Sequence, residues 1–162
     1  MKHKVLWVED GAFAEMQKMS APIYVSGKYD LVIAIDATEG LQQLRQKAKQ
    51  FETIIVDIRL PPGTDLEFQK IYKDRNESRT ASKLGLALLR RVLKEGEKNE
   101  IPEHHQEPQK FGIFTVEGYT ELQAELRRLG VRVYHQKTEL FERSKLRDII
   151  EEIRTQNLTS KG

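Results

Sequence analysis

The sequence predicts an α/β fold, a five-stranded parallel sheet with helices on both faces. Three observations carry this. Five short apolar runs recur along the chain, and a stretch with helical spacing follows each one. The first four runs are nearly continuous rather than alternating, as strands covered on both faces require. The chain has 162 residues, enough to bury one substantial core. A β-α order repeated five times implies right-handed crossovers between parallel strands.

The strands are expected at 4–8 (KVLWV), 31–35 (LVIAI), 53–56 (TIIV), 111–115 (FGIFT) and 131–135 (VRVYH). Trp7 on the first is expected in the core. Arg132 between two valines marks the fifth as an edge. Residues 11–19 (GAFAEMQKM) form the weakest helical pattern, which Pro22 is expected to end. In 38–51, Leu41, Leu44, Ala48 and Phe51 share a face and Thr38 can cap the start. In 82–96, Leu86, Leu89 and Leu93 align, with Gly96 as the stop. Leu122, Leu126 and Leu129 form the face of the fourth helix, which ends at Gly130. Leu146, Ile149, Ile150 and Ile153 form that of the fifth.

Two polar segments, 67–83 and 95–110, interrupt this regularity. The first stands where a few loop residues would suffice. In the second, His104 and His105 lie among glutamates and read as solvated side chains rather than metal ligands. The arginine clusters at 90–91 and 127–128 read as solvent faces of amphipathic helices.

Composition excludes several classes. A net charge of +2 is too small to argue for nucleic acid. The absence of cysteine rules out disulfides and thiolate metal sites. No apolar run approaches the roughly 18 residues of a membrane span. The N-terminus enters strand-like sequence directly, without a signal-peptide core. A cytoplasmic domain that touches neither membrane nor nucleic acid is the expectation.

In open α/β sheets, ligands bind beyond the carboxyl ends of strands. There the sequence puts Glu9 and Asp10 after strand one, Asp57 after strand three, Thr115 at the end of strand four and Lys137 just past strand five. Asp36, after strand two, reads as a cap or a solvent-facing residue. Clustered carboxylates repel unless a cation joins them. Oxygen donors without His or Cys suit Mg²⁺, which pairs with phosphate oxygens. A lysine and a hydroxyl can contact those same oxygens, and an aspartate so placed can act as a nucleophile.

These motifs, VLWVED (5–10), IIVDIRLP (54–61), IFT (113–115) and VYHQK (133–137), resemble the receiver domain of two-component response regulators. The resemblance covers the chain apart from the two polar segments. It implies a flavodoxin-like fold with strand order 2-1-3-4-5, a receiver domain at 1–156 with insertions at about 67–83 and 95–110, and a flexible tail at 157–162. It implies phosphorylation of Asp57 by a histidine kinase or phosphotransfer protein. Glu9, Asp10, Asp57 and the Arg59 backbone carbonyl would hold Mg²⁺, and Thr115 and Lys137 would bind the phosphoryl group. Thr115 and Tyr134 would form the switch, although Tyr134 also reads as a half-buried edge aromatic. Arg59 and Glu117 occupy positions that tune dephosphorylation in this family, and opposite charge should draw them together across the site mouth.

The implied output is partner binding through the fourth helix, fifth strand and fifth helix. No output domain follows in this sequence, so a single-domain regulator or phosphorelay intermediate is expected, with a piece of a longer regulator and a homodimer both left open. It would not turn over an external substrate. Three departures stand out: Thr138 where proline is usual, Val116 where a small residue is usual, and a long loop after Asp57. They support an alternative, a receiver-like interaction module independent of phosphorylation. An aspartyl phosphatase of the haloacid-dehalogenase type ranks last, because its second aspartate would fall where Arg59 stands.

Overall fold

The computed structural model describes residues 1–75, 82–140 and 142–160. Residues 76–81 of the first polar segment and 161–162 of the expected tail lie outside them. The strands are β1 (His3–Val8), β2 (Tyr29–Ala34), β3 (Thr53–Val56), β4 (Phe111–Thr115) and β5 (Val133–Gln136). They form one sheet of order β2-β1-β3-β4-β5, with every neighbouring pair parallel. The order is the expected one, and β5 is an edge. The helices are α1 (Gln17–Ser26), α2 (Ala37–Arg45), α3 (Leu66–Arg75), α4 (Leu84–Leu93), α5 (Tyr119–Leu129) and α6 (Lys145–Ser160). No helix among the described residues is long and apolar enough to cross a membrane.

Each continuous apolar strand feeds two cores, because successive side chains leave opposite faces of the sheet. Leu6, Val8, Ile54, Val56 and Ile113 pack with Leu41 and Leu44 of α2, with α4, and with Leu122, Leu126 and Leu129 of α5. Val5, Trp7, Ile55 and Phe114 pack with Met19 and Ile23 of α1 and with Leu146, Ile149, Ile150 and Ile153 of α6. Trp7 is fully buried, as expected.

Several expectations are corrected. The first helix starts at Gln17 rather than Gly11, and Pro22 lies inside it. Proline forfeits one backbone hydrogen bond, but Met19 and Ile23 bury against the sheet, and Gly27, in the left-handed region at φ 70°, stops the helix instead. The second helix ends at Arg45, so Ala48 is exposed and Phe51 reaches the core from a loop. Its cap is Asp36, whose carboxylate accepts from the Glu39 N–H, while the Glu39 carboxylate accepts from the Ile35 N–H. This is a reciprocal capping arrangement, and it leaves Thr38 inside the first turn.

α4 is buried almost throughout and ends before Gly96, which is not a left-handed stop. Its Arg91 is buried, not solvated: Nη1 lies 2.8 Å from Asp65, Nε bonds Asn99, and the guanidinium stacks 4.6 Å over Phe68. His105 is likewise fully buried. Its Nδ1 donates to the Leu44 carbonyl at 2.7 Å, and its Nε2 accepts from the Phe51 N–H at 3.1 Å. The first polar segment begins as a helix, α3, because Asp65 caps the Phe68 N–H and Phe68 is buried. With α3 present, the expected fourth and fifth helices are α5 and α6. α6 continues to Ser160, past residue 157 where a tail was expected.

Candidate functional site at the carboxyl end of the sheet

The parallel hydrogen-bond ladder continues one residue beyond three strand ends. The Glu9 N–H donates to Ala34 O at 2.8 Å, Asp57 to Val8 O at 3.0 Å, and Lys137 to Thr115 O at 2.7 Å. Glu9, Asp57 and Lys137 are thus held by backbone geometry at the carboxyl ends of β1, β3 and β5, and their side chains meet. Lys137 Nζ lies 2.8 Å from Asp57 Oδ2 and 2.5 Å from Glu9 Oε1. The other Asp57 oxygen accepts from the Arg59 N–H at 3.3 Å, and Glu9 Oε2 accepts from the Gly11 N–H at 3.1 Å. Carboxylate oxygens of Glu9, Asp10 and Asp57 all lie within 4.8 Å of one another, a group that can hold a metal ion.

Burial sharpens these charges. Glu9 is 1% exposed and Asp57 3%. Burial first, then the nearby Asp57 carboxylate, pushes Glu9 up to about 8, with Lys137 opposing. Burial would lower the Lys137 pKa, but Asp57 and Glu9 outweigh it and raise it. The buried Glu9 Oε1 has the Lys137 amino group 2.5 Å away as its close partner. Three carboxylates gathered in this way offer only oxygen donors and fit a hard cation.

Around this centre, Thr115 is fully buried at the end of β4, and its hydroxyl accepts from the Glu117 N–H. Arg59 Nε donates to Glu117 Oε1 at 2.8 Å, the attraction expected from the sequence. The Tyr134 hydroxyl donates to the Glu117 carbonyl, and its half-buried ring lies 5.0 Å from that of Tyr119. Lys137 reaches Asp57 although Thr138 follows it, and Val116 is partly exposed. A cleft of about 250 Å³ lined by His3, Glu52, Lys110 and Arg154 lies at the opposite, amino end of the sheet and takes no part in this cluster.

Two further residues shape the loop after Asp57. A Cβ on Gly85 would lie 2.1 Å from the Asp57 carbonyl oxygen, and the Gly85 N–H donates to Ile58 O at 3.0 Å. The Thr38 hydroxyl donates to Pro62 O and accepts from the Asp65 N–H. No local pattern announces either contact, since the partners lie more than twenty positions away in sequence.

No protein-family model matches the chain, and no curated protein matches it. Solved structures do. A CheY-like response regulator receiver domain from Methanospirillum hungatei is 21% identical over all of both chains, with a TM-score of 0.60. The non-phosphorylated HemR receiver domain from Leptospira biflexa is 19% identical over 94% of each chain, at 0.57. A LuxR-family two-component response regulator from Aurantimonas is 17% identical over 96% of this chain and 86% of its own, at 0.58. At such identities the likeness speaks for architecture, and that architecture, down to the 2-1-3-4-5 strand order, is the receiver fold of CheY-like response regulators.

Proposed function

We propose that the chain is a signalling receiver that accepts a phosphoryl group on Asp57 from the phosphohistidine of a kinase or phosphotransfer protein. The observation that carries this reading is the meeting of Asp57, Glu9 and Lys137 at the carboxyl end of the sheet. In the transfer, the P–N bond of the donor breaks and its electron pair returns to the imidazole nitrogen. A P–O bond forms to the Asp57 carboxylate, giving an acyl phosphate. Such transfers depend on positioning and on neutralising charge rather than on protein-side covalent chemistry beyond the acceptor. The Arg59 N–H orients the acceptor, and Lys137, held charged, moves from Asp57 to the incoming phosphoryl oxygens with the Thr115 hydroxyl beside it. Mg²⁺ held by Glu9, Asp10, Asp57 and the Arg59 carbonyl would add positive charge against those oxygens.

Output is assigned to the surface of α5, β5 and α6, with Thr115 and Tyr134 as the switch. The Arg59–Glu117 pair stands over the approach to Asp57 and slows attack by water on the acyl phosphate. The test is the intact mass of the protein after incubation with a small phosphodonor and Mg²⁺. A hydroxylamine-labile phosphoryl adduct on wild type, absent from Asp57→Asn, is the expected result. A folded wild type that gains no adduct would favour the second reading, an interaction module independent of phosphorylation. One observation supports that reading: Tyr134 is already bonded to the Glu117 carbonyl and packed against the Tyr119 ring without a phosphoryl group.

A further inference from the structure

Thr38 carries an arrangement that helix capping does not require. Threonine near a helix start ordinarily bonds its own backbone. Here the Asp36 carboxylate already caps the Glu39 N–H at the start of α2. The Thr38 side chain is turned instead toward the segment after Asp57, and the residue is only 7% exposed. Its hydroxyl donates to Pro62 O at 2.6 Å and accepts from the Asp65 N–H at 2.9 Å. Next to it, the Ala37 N–H, a helix-terminal donor with no partner in its own helix, donates to Pro61 O at 3.0 Å. Gly63 makes this approach possible: its φ is +73°, and a Cβ there would sit 2.6 Å from Thr38.

The other flank of the loop is pinned as well. The Gly85 N–H of α4 bonds Ile58 O at 3.0 Å. Arg59, Leu60 and Pro61 separate Ile58 from Pro62, where the Thr38 hydroxyl holds the chain, and Leu60 is fully buried. Peptide planes are rigid and proline fixes its own φ, so three residues held at both ends, the last of them Pro61, have little freedom to turn their carbonyls. The Arg59 carbonyl is the backbone ligand assigned above to the cation.

We infer that Thr38 is a positioning residue: by fastening Pro62 and Asp65 to α2, it sets the direction of the Arg59 carbonyl and so the affinity of the acidic site for Mg²⁺. The inference rests on the proposed phospho-acceptor reading and adds a residue that touches neither acceptor nor cation. Groups that orient a ligand from behind typically change metal affinity by roughly tenfold or more when removed.

The test uses the full chain, metal-free, as wild type, Thr38→Ser and Thr38→Val. Calorimetric titration with Mg²⁺ should show affinity roughly tenfold weaker for Thr38→Val, with Thr38→Ser, which keeps the hydroxyl, near wild type. Hydrogen exchange in the absence of Mg²⁺ should show the Asp65 amide protected in wild type and Thr38→Ser and unprotected in Thr38→Val. Should Thr38→Val fail to fold, Thr38→Ala makes the same comparison. A folded variant without the hydroxyl that binds Mg²⁺ as wild type does would overturn the inference alone. A variant that loses stability while keeping its affinity would overturn it too, because Thr38 would then be purely structural. A wild type that takes up neither Mg²⁺ nor a phosphoryl group would overturn the acceptor reading and this inference with it.

Discussion

Gly85→Ala is the substitution whose effect follows most directly from the structure. The added methyl would lie 2.1 Å from the Asp57 carbonyl oxygen, 2.6 Å from Ile58 Cα and 2.9 Å from the Asp57 carbonyl carbon. All three are backbone atoms, so no rotamer change relieves the clash. Ordinary contact begins at 3.4 Å, so α4 and the acceptor loop must part by about 1.3 Å, the difference between 3.4 and 2.1 Å. Overpacking of this kind costs about 1–3 kcal/mol. Losing the Gly85–Ile58 hydrogen bond adds about 1 kcal/mol. The preference of a helix for alanine over glycine returns at most about 1 kcal/mol. The net expectation is a loss of about 1–3 kcal/mol. Functional groups must be held to roughly 0.5 Å, so the shift also moves Asp57 and the Arg59 carbonyl out of register with Glu9. Urea denaturation should therefore show a lowered midpoint, and a Mg²⁺ titration of the still-folded fraction should show weakened binding. Gly118→Ala is the control, since nothing lies within 4 Å of a Cβ there. A Gly85→Ala protein with wild-type midpoint and wild-type Mg²⁺ affinity would refute the reasoning.

Three other outcomes are expected. Glu9, raised from 4.5 to about 8, holds its proton more tightly folded than unfolded, so in the metal-free protein its contribution to stability falls as pH rises across that interval. The difference in melting temperature between wild type and Glu9→Gln should change in that direction from pH 6 to 8, and Mg²⁺ binding at pH 7 should release protons; a difference independent of pH would contradict the assignment. His105, lowered from 6.5 chiefly by burial, is neutral in the fold, so it withdraws stability as pH drops below 6.5. His105→Gln should lose about 2 kcal/mol at pH 8, one for each of two hydrogen bonds, and show a shallower acid slope, as measured by denaturant titration. Arg91→Met leaves Asp65 and Asn99 without their buried partner and should cost about 3 kcal/mol; an unchanged urea midpoint would show that the Arg91 cluster holds nothing in place.

Much of this protein is legible along the chain because its signals are local. A continuous apolar run bounded by polar residues names a buried strand without reference to anything distant, and all five strands lie within two residues of their expected bounds. The acidic pair, Asp57, Thr115 and Lys137 were legible for the same reason: each ends or directly follows such a run. Errors arose where a residue's partner is remote. Arg91 and His105 look solvated in their neighbourhoods, yet Asp65, Leu44 and Phe51 stand ready to satisfy them. Pro22 reads as a stop because the sequence does not display the burial that carries the helix past it.

By itself, then, the sequence determined the alternation of strands and helices, the continuous apolar character of the central strands, and which polar residues stand at their carboxyl ends. These follow from periodicity and chain order alone. Only the tertiary structure decided that one lysine bridges two buried carboxylates, that Gly85 admits α4 against the acceptor loop, and that Thr38 fastens the far side of that loop to α2. Such contacts join residues tens of positions apart, and their strength depends on water being excluded around them. Neither distance nor dielectric is written in the order of residues; both arise when the sheet and its helices close.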